Sequence, residues 1–312
     1  MVVLVALASL SPRLVGLSQA PVVAQAVALR GVLGLGALAA GSVLLVLWAL
    51  RRSRSAPLLV VAVAVLAAGA GHAAVLAHRG LAPHPPDGRA ADLVVLSLNT
   101  QGGATSPAQV ADLVHRTGAS VVALPETPRA DAERLASLLD RPFTASTASR
   151  GRSGAASTSL LLADALGEHA VGGAPPLVLG AVRAAPRSGG PPVLAVHPVS
   201  PVPLLGGVPQ WRRDVALAAA ACGREPGAVV AGDFNATLDH APLADLGPCV
   251  DAAAQVGAAG VGTWPATAPR LLGAPIDHVL VDARAWRVLS VEVLDAGGSD
   301  HRALVVRLQR RG

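Results

Sequence analysis

The chain has 312 residues, of which 52% are hydrophobic and only 14% charged, and its mean hydropathy is +0.52. That balance is too apolar for a wholly water-soluble protein, and the length suits one large domain or two small ones. The net charge of +5 is unevenly spread: residues 1–78 carry arginines 13, 30, 51, 52 and 54 and no acid, whereas from residue 79 onward 20 Arg offset 20 Asp and Glu. The neutral second part lacks the basic footprint of a strong duplex-DNA binder. Lys and Tyr are absent, a pattern of coding bias rather than of function.

Residues 1–80 read as a membrane region. The first ten residues are apolar but too short to span, and fit an interfacial segment or the end of a helix. Leu14–Leu29 is a weak helix candidate, broken by Pro21 and Gln25. Gly31–Leu50 then runs uncharged between Arg30 and Arg51, and Ala56–Ala77 forms a second such run with His72 as its one interruption. Each is long enough to cross a hydrocarbon core. The Arg51–Arg54 loop between them belongs in the cytoplasm by the positive-inside rule. This predicts a multi-pass protein of the cell membrane with everything after residue 80 extracytoplasmic. A cleaved signal peptide is disfavoured, because no basic region precedes the apolar start. His72 reads as a tolerated or interfacial group. Residues 81–91, with Pro83, Pro85, Pro86 and Gly88, read as an extended linker.

Residues 92–309 read as one α/β domain. Apolar runs predict strands at Leu93–Leu98, Val121–Leu124, Ser159–Ala163, Leu177–Ala184, Val193–Val196, Ala228–Ala231, Asp277–Val281, Val291–Leu294 and Ala303–Leu308. Helical spacing predicts helices at Pro107–Thr117, Arg129–Leu139 and Trp211–Cys222. Thr144–Ala156 reads as a Ser/Thr/Gly/Arg-rich loop. Strands outnumber helices, so a two-sheet core with outer helices is expected. Cys222 and Cys249 fit either a disulfide, which an exported domain permits, or two buried thiols.

Polar residues recur where the apolar strands stop: Asn99, Glu126, His197, Asp233 with Asn235, and Asp300 with His301, while Asp277 opens a strand. If strand geometry persists past Gly232, Asp233 and Asn235 leave on one face; otherwise they bond a local turn. Hard oxygen donors with no thiol or paired-His spacing favour Mg²⁺, Mn²⁺ or Ca²⁺ over zinc. His beside such an ion suits acid–base work. Trp264 reads as a structural aromatic rather than a pocket residue. Asp239-His240 reads as a turn or helix-start feature. Arg150 and Arg152 are as well explained by solvation as by phosphate contact.

The order of motifs resembles the endonuclease/exonuclease/phosphatase superfamily of metal-dependent phosphodiesterases. The resemblance rests on G-D-F-N at 232–235, S-D-H at 299–301, I-D-H at 276–278 and Leu124-Pro125-Glu126, and covers roughly residues 92–309. It implies a four-layered α/β sandwich with the site at one end of the sheets. It also implies Glu126 as principal metal ligand with Asn99 beside it, and Asp300 near or on the metal. Asp233 would position or deprotonate the attacking water, and Asn99 and Asn235 would hold the phosphate. His301, oriented by Asp277, would stabilise the transition state or act as base, and His197 would serve the leaving-group side. The sequence departs from the family pattern at Pro125 and Pro198, and lacks the tyrosine of abasic-site endonucleases. Scarce Phe and Trp leave little to stack single-stranded bases. The implied substrate is a phosphate ester: a lipid headgroup, a nucleotide or loosely bound nucleic acid. The alternative is a catalytically weak surface-binding module on the same fold.

Overall fold

The computed structural model describes residues 8–312 except 15, 51–54, 87, 152–153 and 204–205. The Arg51–Arg54 loop, Arg152 and most of the first ten residues therefore lie outside the described residues. Helix α1 (Val23–Ala28) falls inside the weak candidate at Leu14–Leu29. Helices α2 (Arg30–Leu50) and α3 (Ala56–Arg79) are long and apolar enough to cross a membrane. They pair closely where Gly41 meets Leu66 and Gly69 meets Leu38, small residues that let two backbones approach. Val32, Leu35, Val43, Val46, Val60 and Val63 stay exposed on their outer faces.

The Pro-rich stretch that follows is tethered to the domain. His84 exchanges both backbone hydrogen bonds with Val291, each at 2.8 Å. Next come β1 (Leu93–Ser97), α4 (Pro107–Thr117), β2 (Val121–Pro125), α5 (Arg129–Leu138), β3 (Phe143–Ser149), β4 (Ser157–Ala163), β5 (His169–Val171), β6 (Ala181–Pro186) and β7 (Val193–Val196). Then follow α6 (Gly207–Gly223), β8 (Val229–Asp233), β9 (Cys249–Asp251), α7 (Ala252–Gln255), β10 (Asp277–Asp282), β11 (Trp286–Leu294) and β12 (Ala303–Arg310).

The strands form two six-stranded mixed sheets, ordered β11-β12-β1-β2-β4-β3 and β5-β6-β7-β8-β10-β9. Strand alternation explains the layering. Leu93, Val95, Val229 and Val279 point between the sheets. Val94, Leu96 and Val122 point out against α4 and α5 with Val110, Leu113 and Leu135. Leu194, Val230 and Leu280 point out against Trp211 and Val215 of α6. The result is a four-layered α/β sandwich. Helix α4 shows how local sequence sets an element. Ser106 and Gln109 form a capping box at its start, and Gly118 closes it in the left-handed conformation.

Two expectations need correction. The stretch predicted as a loop at Thr144–Ala156 begins with strand β3, which pairs with β4 over its whole length. It is an edge strand whose Ser and Thr residues bond sideways, Thr147 Oγ1 to Ser159 Oγ at 2.7 Å and Ser149 Oγ to Ser157 Oγ at 3.0 Å; an apolar run is not needed there. The predicted strand Leu177–Ala184 starts only at Ala181. Leu177 is buried instead as a turn residue under α6, with Asp214 accepting the Val178 N–H at 3.1 Å. Of the two readings of the cysteines, the disulfide holds: Cys222 is joined to Cys249.

Candidate active site

Strands β1 and β2 are parallel, as are β7 and β8, so their carboxyl ends share one edge of the sandwich. Strands β10 and β12 run antiparallel to β8 and β1, so their beginnings reach the same edge. Asn99, Glu126, His197 and Asp233 therefore meet Asp277 and His301. The β8–β10 register places Asp277 directly across from Asp233. Gly232 permits the close fit of β7 on β8: a Cβ there would lie 1.9 Å from the Val196 carbonyl oxygen.

The polar side chains form one connected set. His301 Nδ1 lies 2.9 Å from Asp277 Oδ2, and its Nε2 lies 3.7 Å from Asp233 Oδ2. His197 Nε2 faces the same Asp233 oxygen at 3.6 Å and Glu126 Oε1 at 3.9 Å. Asn99 Nδ2 donates to Glu126 Oε1 at 3.1 Å and to Asp233 Oδ2 at 3.0 Å. Trp264 Nε1 donates to Asp300 Oδ2 at 2.8 Å. Strand geometry does not persist beyond Asp233. Asn235 takes a left-handed conformation (φ 49°), and its N–H donates to Asp233 Oδ1 at 2.8 Å, so the backbone turns here, although Asp233 also accepts from Asn99 and is not confined to local bonds. Asn235 is fixed further by Nδ2 donating to the Pro198 carbonyl at 3.0 Å and by Trp211 Nε1 donating to its own carbonyl at 2.9 Å.

Burial and neighbouring charge separate the protonation states. Burial raises the Asp233 carboxyl, against the opposing pull of the His301 cation. Burial disfavours the His301 imidazolium, but Asp277 and Asp233 outweigh it and raise His301 well above the ordinary histidine value. Burial lowers His197 to about 3, helped by the charge on His301. His197 is thus a neutral ring, and its Nδ1 has no partner among the described residues. Burial also raises Glu126, partly offset by the Asn99 hydrogen bond.

The donor set fits a hard divalent cation. Glu126 occupies the left-handed region (φ 55°), a strained conformation for a non-glycine residue, with its carbonyl held by Thr100 Oγ1 at 2.9 Å. This points a partly exposed carboxylate into the cleft, where the negative charge of Asp300 adds to the upward pressure on its pKa. Two carboxylates sharing one open space, with the Asn99 amide adjoining and no thiolate, suit oxygen-ligand chemistry. Asp233, Asp277 and His301 also offer three ligand atoms within 4.8 Å of one another. There, however, the cationic ring already balances the two carboxylates.

The structure thus brings together Asn99, Glu126, His197, Asp233, Asn235, Asp277, Asp300 and His301. Trp264 lines the cleft instead of serving only as packing, because its ring N–H reaches Asp300. Gln101 escapes the sequence reading. It has positive φ, and its Oε1 accepts the Asp300 N–H at 3.1 Å; its place just after Asn99 is the available signal. Gln25, Ala28 and Leu29, which form one wall of the roughly 540 Å³ cleft, carry no sequence signal. Arg150 is not among the cleft residues.

The Endonuclease/Exonuclease/phosphatase family model matches residues 96–301, more than half of the chain. Solved structures share the fold. The 3'-5' exonuclease NExo from Neisseria meningitidis aligns with a TM-score of 0.54 and 16% identity, covering 70% of this chain and 100% of its own. D. rerio TDP2, humanized by 14 mutations, gives 0.54 and 14%, covering 70% and 98%. An endonuclease/exonuclease/phosphatase from Beutenbergia cavernae gives 0.53 and 18%, covering 72% of each chain. Among curated proteins no sequence matches. The matched region spans the strand ends that carry the polar cluster, and the chain belongs to the endonuclease/exonuclease/phosphatase family.

Proposed function

We propose that this protein is a membrane-anchored hydrolase of phosphate esters, dependent on Mg²⁺ or a similar divalent ion, with its catalytic domain outside the cytoplasm. The observation that carries the chemistry is Asp233 Oδ2, which faces His197, His301 and Asn99 at once. Glu126 and Asp300, with Asn99 beside them, would hold the ion. When bound, that ion would neutralise charge on a non-bridging phosphate oxygen. Asp233, raised by burial, is suited to take a proton from the attacking water. His301, charged and aligned by Asp277, places a cation where negative charge develops on the phosphorus oxygens. His197, held neutral, donates a hydrogen bond on the leaving-group side. Asn235 and Asn99 would orient the phosphate.

Anchoring is supported by α2 and α3, and the orientation by the arginines at 51, 52 and 54 between them. The Cys222–Cys249 disulfide suits an oxidising compartment. The purified full chain with Mg²⁺ should hydrolyse bis(p-nitrophenyl) phosphate, and His301→Ala should lower that activity by about two to four orders of magnitude. A wild type inert with Mg²⁺, Mn²⁺ and Ca²⁺ would refute the chemistry. A C-terminal reporter active only in the cytoplasm would refute the orientation.

A further inference from the structure

The cleft is completed by a segment outside the family-matched region. Gln25, Ala28 and Leu29 line it together with Glu126, His197 and Asp300, and Leu29 directly precedes Arg30, where α2 begins. This wall is locked to the domain. Gln25 donates to the Pro201 carbonyl, His240 Nε2 lies 2.9 Å from the Ala24 carbonyl oxygen, and Ala24 is wholly buried with Trp211 and Leu177. The same end of the domain meets both apolar helices. A Cβ on Gly31 would lie 1.9 Å from the Leu271 carbonyl oxygen. Arg30 and Arg79, the near ends of α2 and α3, both bond Asp239.

The cleft therefore opens beside the roots of the two apolar helices. Its lining joins polar residues of the catalytic cluster to the apolar Ala28, Leu29, Leu179, Pro201 and Val202. Large apolar residues stay exposed around this end, including Leu17, Val22, Val202 and Leu271. An exposed apolar rim at the foot of spanning helices is suited to the bilayer interface. A nucleic-acid site would instead need a basic track, whereas no Arg lines this cleft among the described residues.

We propose that the cleft takes the phosphate ester of a membrane phospholipid, which reaches Asp233 from the bilayer along the wall formed by Gln25, Ala28 and Leu29. This rests on the phosphate-ester hydrolase reading above. The headgroup phosphate lies against the polar residues while the glycerol and first acyl carbons run out along the apolar lining. The reaction adds water across the ester: the water oxygen bonds phosphorus, the P–O bond to the leaving group breaks, and the water proton passes by way of Asp233 to the departing oxygen.

The test uses the full chain reconstituted with Mg²⁺ in vesicles of phosphatidylcholine, phosphatidylglycerol and phosphatidylinositol. Products are followed by phosphorus NMR and mass spectrometry. The same headgroups are supplied in parallel as water-soluble glycerophosphodiesters without acyl chains, alongside a DNA oligonucleotide and bis(p-nitrophenyl) phosphate. At least one vesicle lipid should be cleaved with kcat/KM at least tenfold above its soluble counterpart. Leu29→Arg should reduce lipid turnover at least tenfold more than it reduces turnover of the aryl diester. Cleavage of the aryl diester with intact vesicle lipids, equal rates on lipid and soluble headgroup, or preference for DNA would each overturn the inference while leaving the hydrolase reading in place. Inactivity on every substrate would overturn both.

Discussion

Arg30, the first residue of α2, is buried against Asp239 in the loop that follows β8. Arg79 at the end of α3 binds the same carboxylate at 2.7 and 2.8 Å. One Asp thus fastens both apolar helices to the α/β domain. Burial pushes its carboxyl up, but the two arginines bring it below the ordinary range. Removing one partner of a buried pair leaves the other charge uncompensated. Asp239→Ala should therefore cost about 3–5 kcal/mol, seen as a lowered unfolding midpoint of the full chain in detergent. Arg30→Met on the Asp239→Ala background should recover part of that loss. If the two effects simply add, Arg30 is not the charge stranded by the first substitution.

The disulfide ties the end of α6 to β9, its cysteines standing at a sequence separation of 27. Closing a loop of that length restricts the unfolded chain by about 3 kcal/mol. The Cys222→Ala/Cys249→Ala protein should lose about that much stability in denaturant titrations, and the wild type in strong reductant should approach the double variant. Two free thiols in denatured, unreduced protein would remove the bridge from the account.

Most of the site is legible in the sequence because a polar residue that ends an apolar strand is conspicuous. Asn99, Glu126, His197 and Asp233 show this, and the sheet order then gathers them. The turn at Asn235 is less legible, since one strand-like residue more would place it differently. The wall at Gln25–Leu29 leaves no trace, because it depends on a docking across nearly the whole chain, seen in the Gln25–Pro201 and Ala24–His240 contacts. Asp239 reads locally as a turn residue for the same reason: both of its partners lie before residue 80. Edge strands β3 and β5 are hidden because half-exposed strands need no apolar run.

Acid should expose a second carboxylate. Asp282 at the end of β10 accepts from Arg284 Nε and Nη2 at 2.9 and 3.0 Å and from the Gly227 N–H at 2.9 Å. The Arg284 hydrogen bonds, chiefly, hold it near 2 against an ordinary 3.8. A carboxyl depressed by folding contributes stability above its unfolded pKa and loses it as pH falls through the folded one. The gap in melting temperature between wild type and Asp282→Asn should therefore be constant from neutral pH to about 4 and close between there and about 2. A gap that persists unchanged to pH 2 would mean the Asp282 charge contributes nothing and only its shape matters.

The roles in the catalytic cluster separate by metal dependence. Glu126 is assigned to the ion, so Glu126→Gln should weaken Mg²⁺ binding by calorimetry, and excess Mg²⁺ or Mn²⁺ should partly restore turnover. On the proposed mechanism His301 serves the phosphate instead, so His301→Ala should lose about two to four orders of magnitude in kcat at any metal concentration, with Mg²⁺ affinity little changed. Asp277 is proposed to act through its 2.9 Å contact with His301 Nδ1. Asp277→Asn keeps the ring but removes the charge that aligns it and sustains its proton, so its loss should be smaller. The double variant should then be little worse than His301→Ala, because residues acting as a unit are not additive. If the two losses multiply, Asp277 works independently of His301 and belongs with the ion, as its proximity to Asp233 would allow. If His301→Ala retains full activity on a substrate that wild type cleaves, charge stabilisation at the phosphate comes from elsewhere, and the mechanism drawn from this cluster fails.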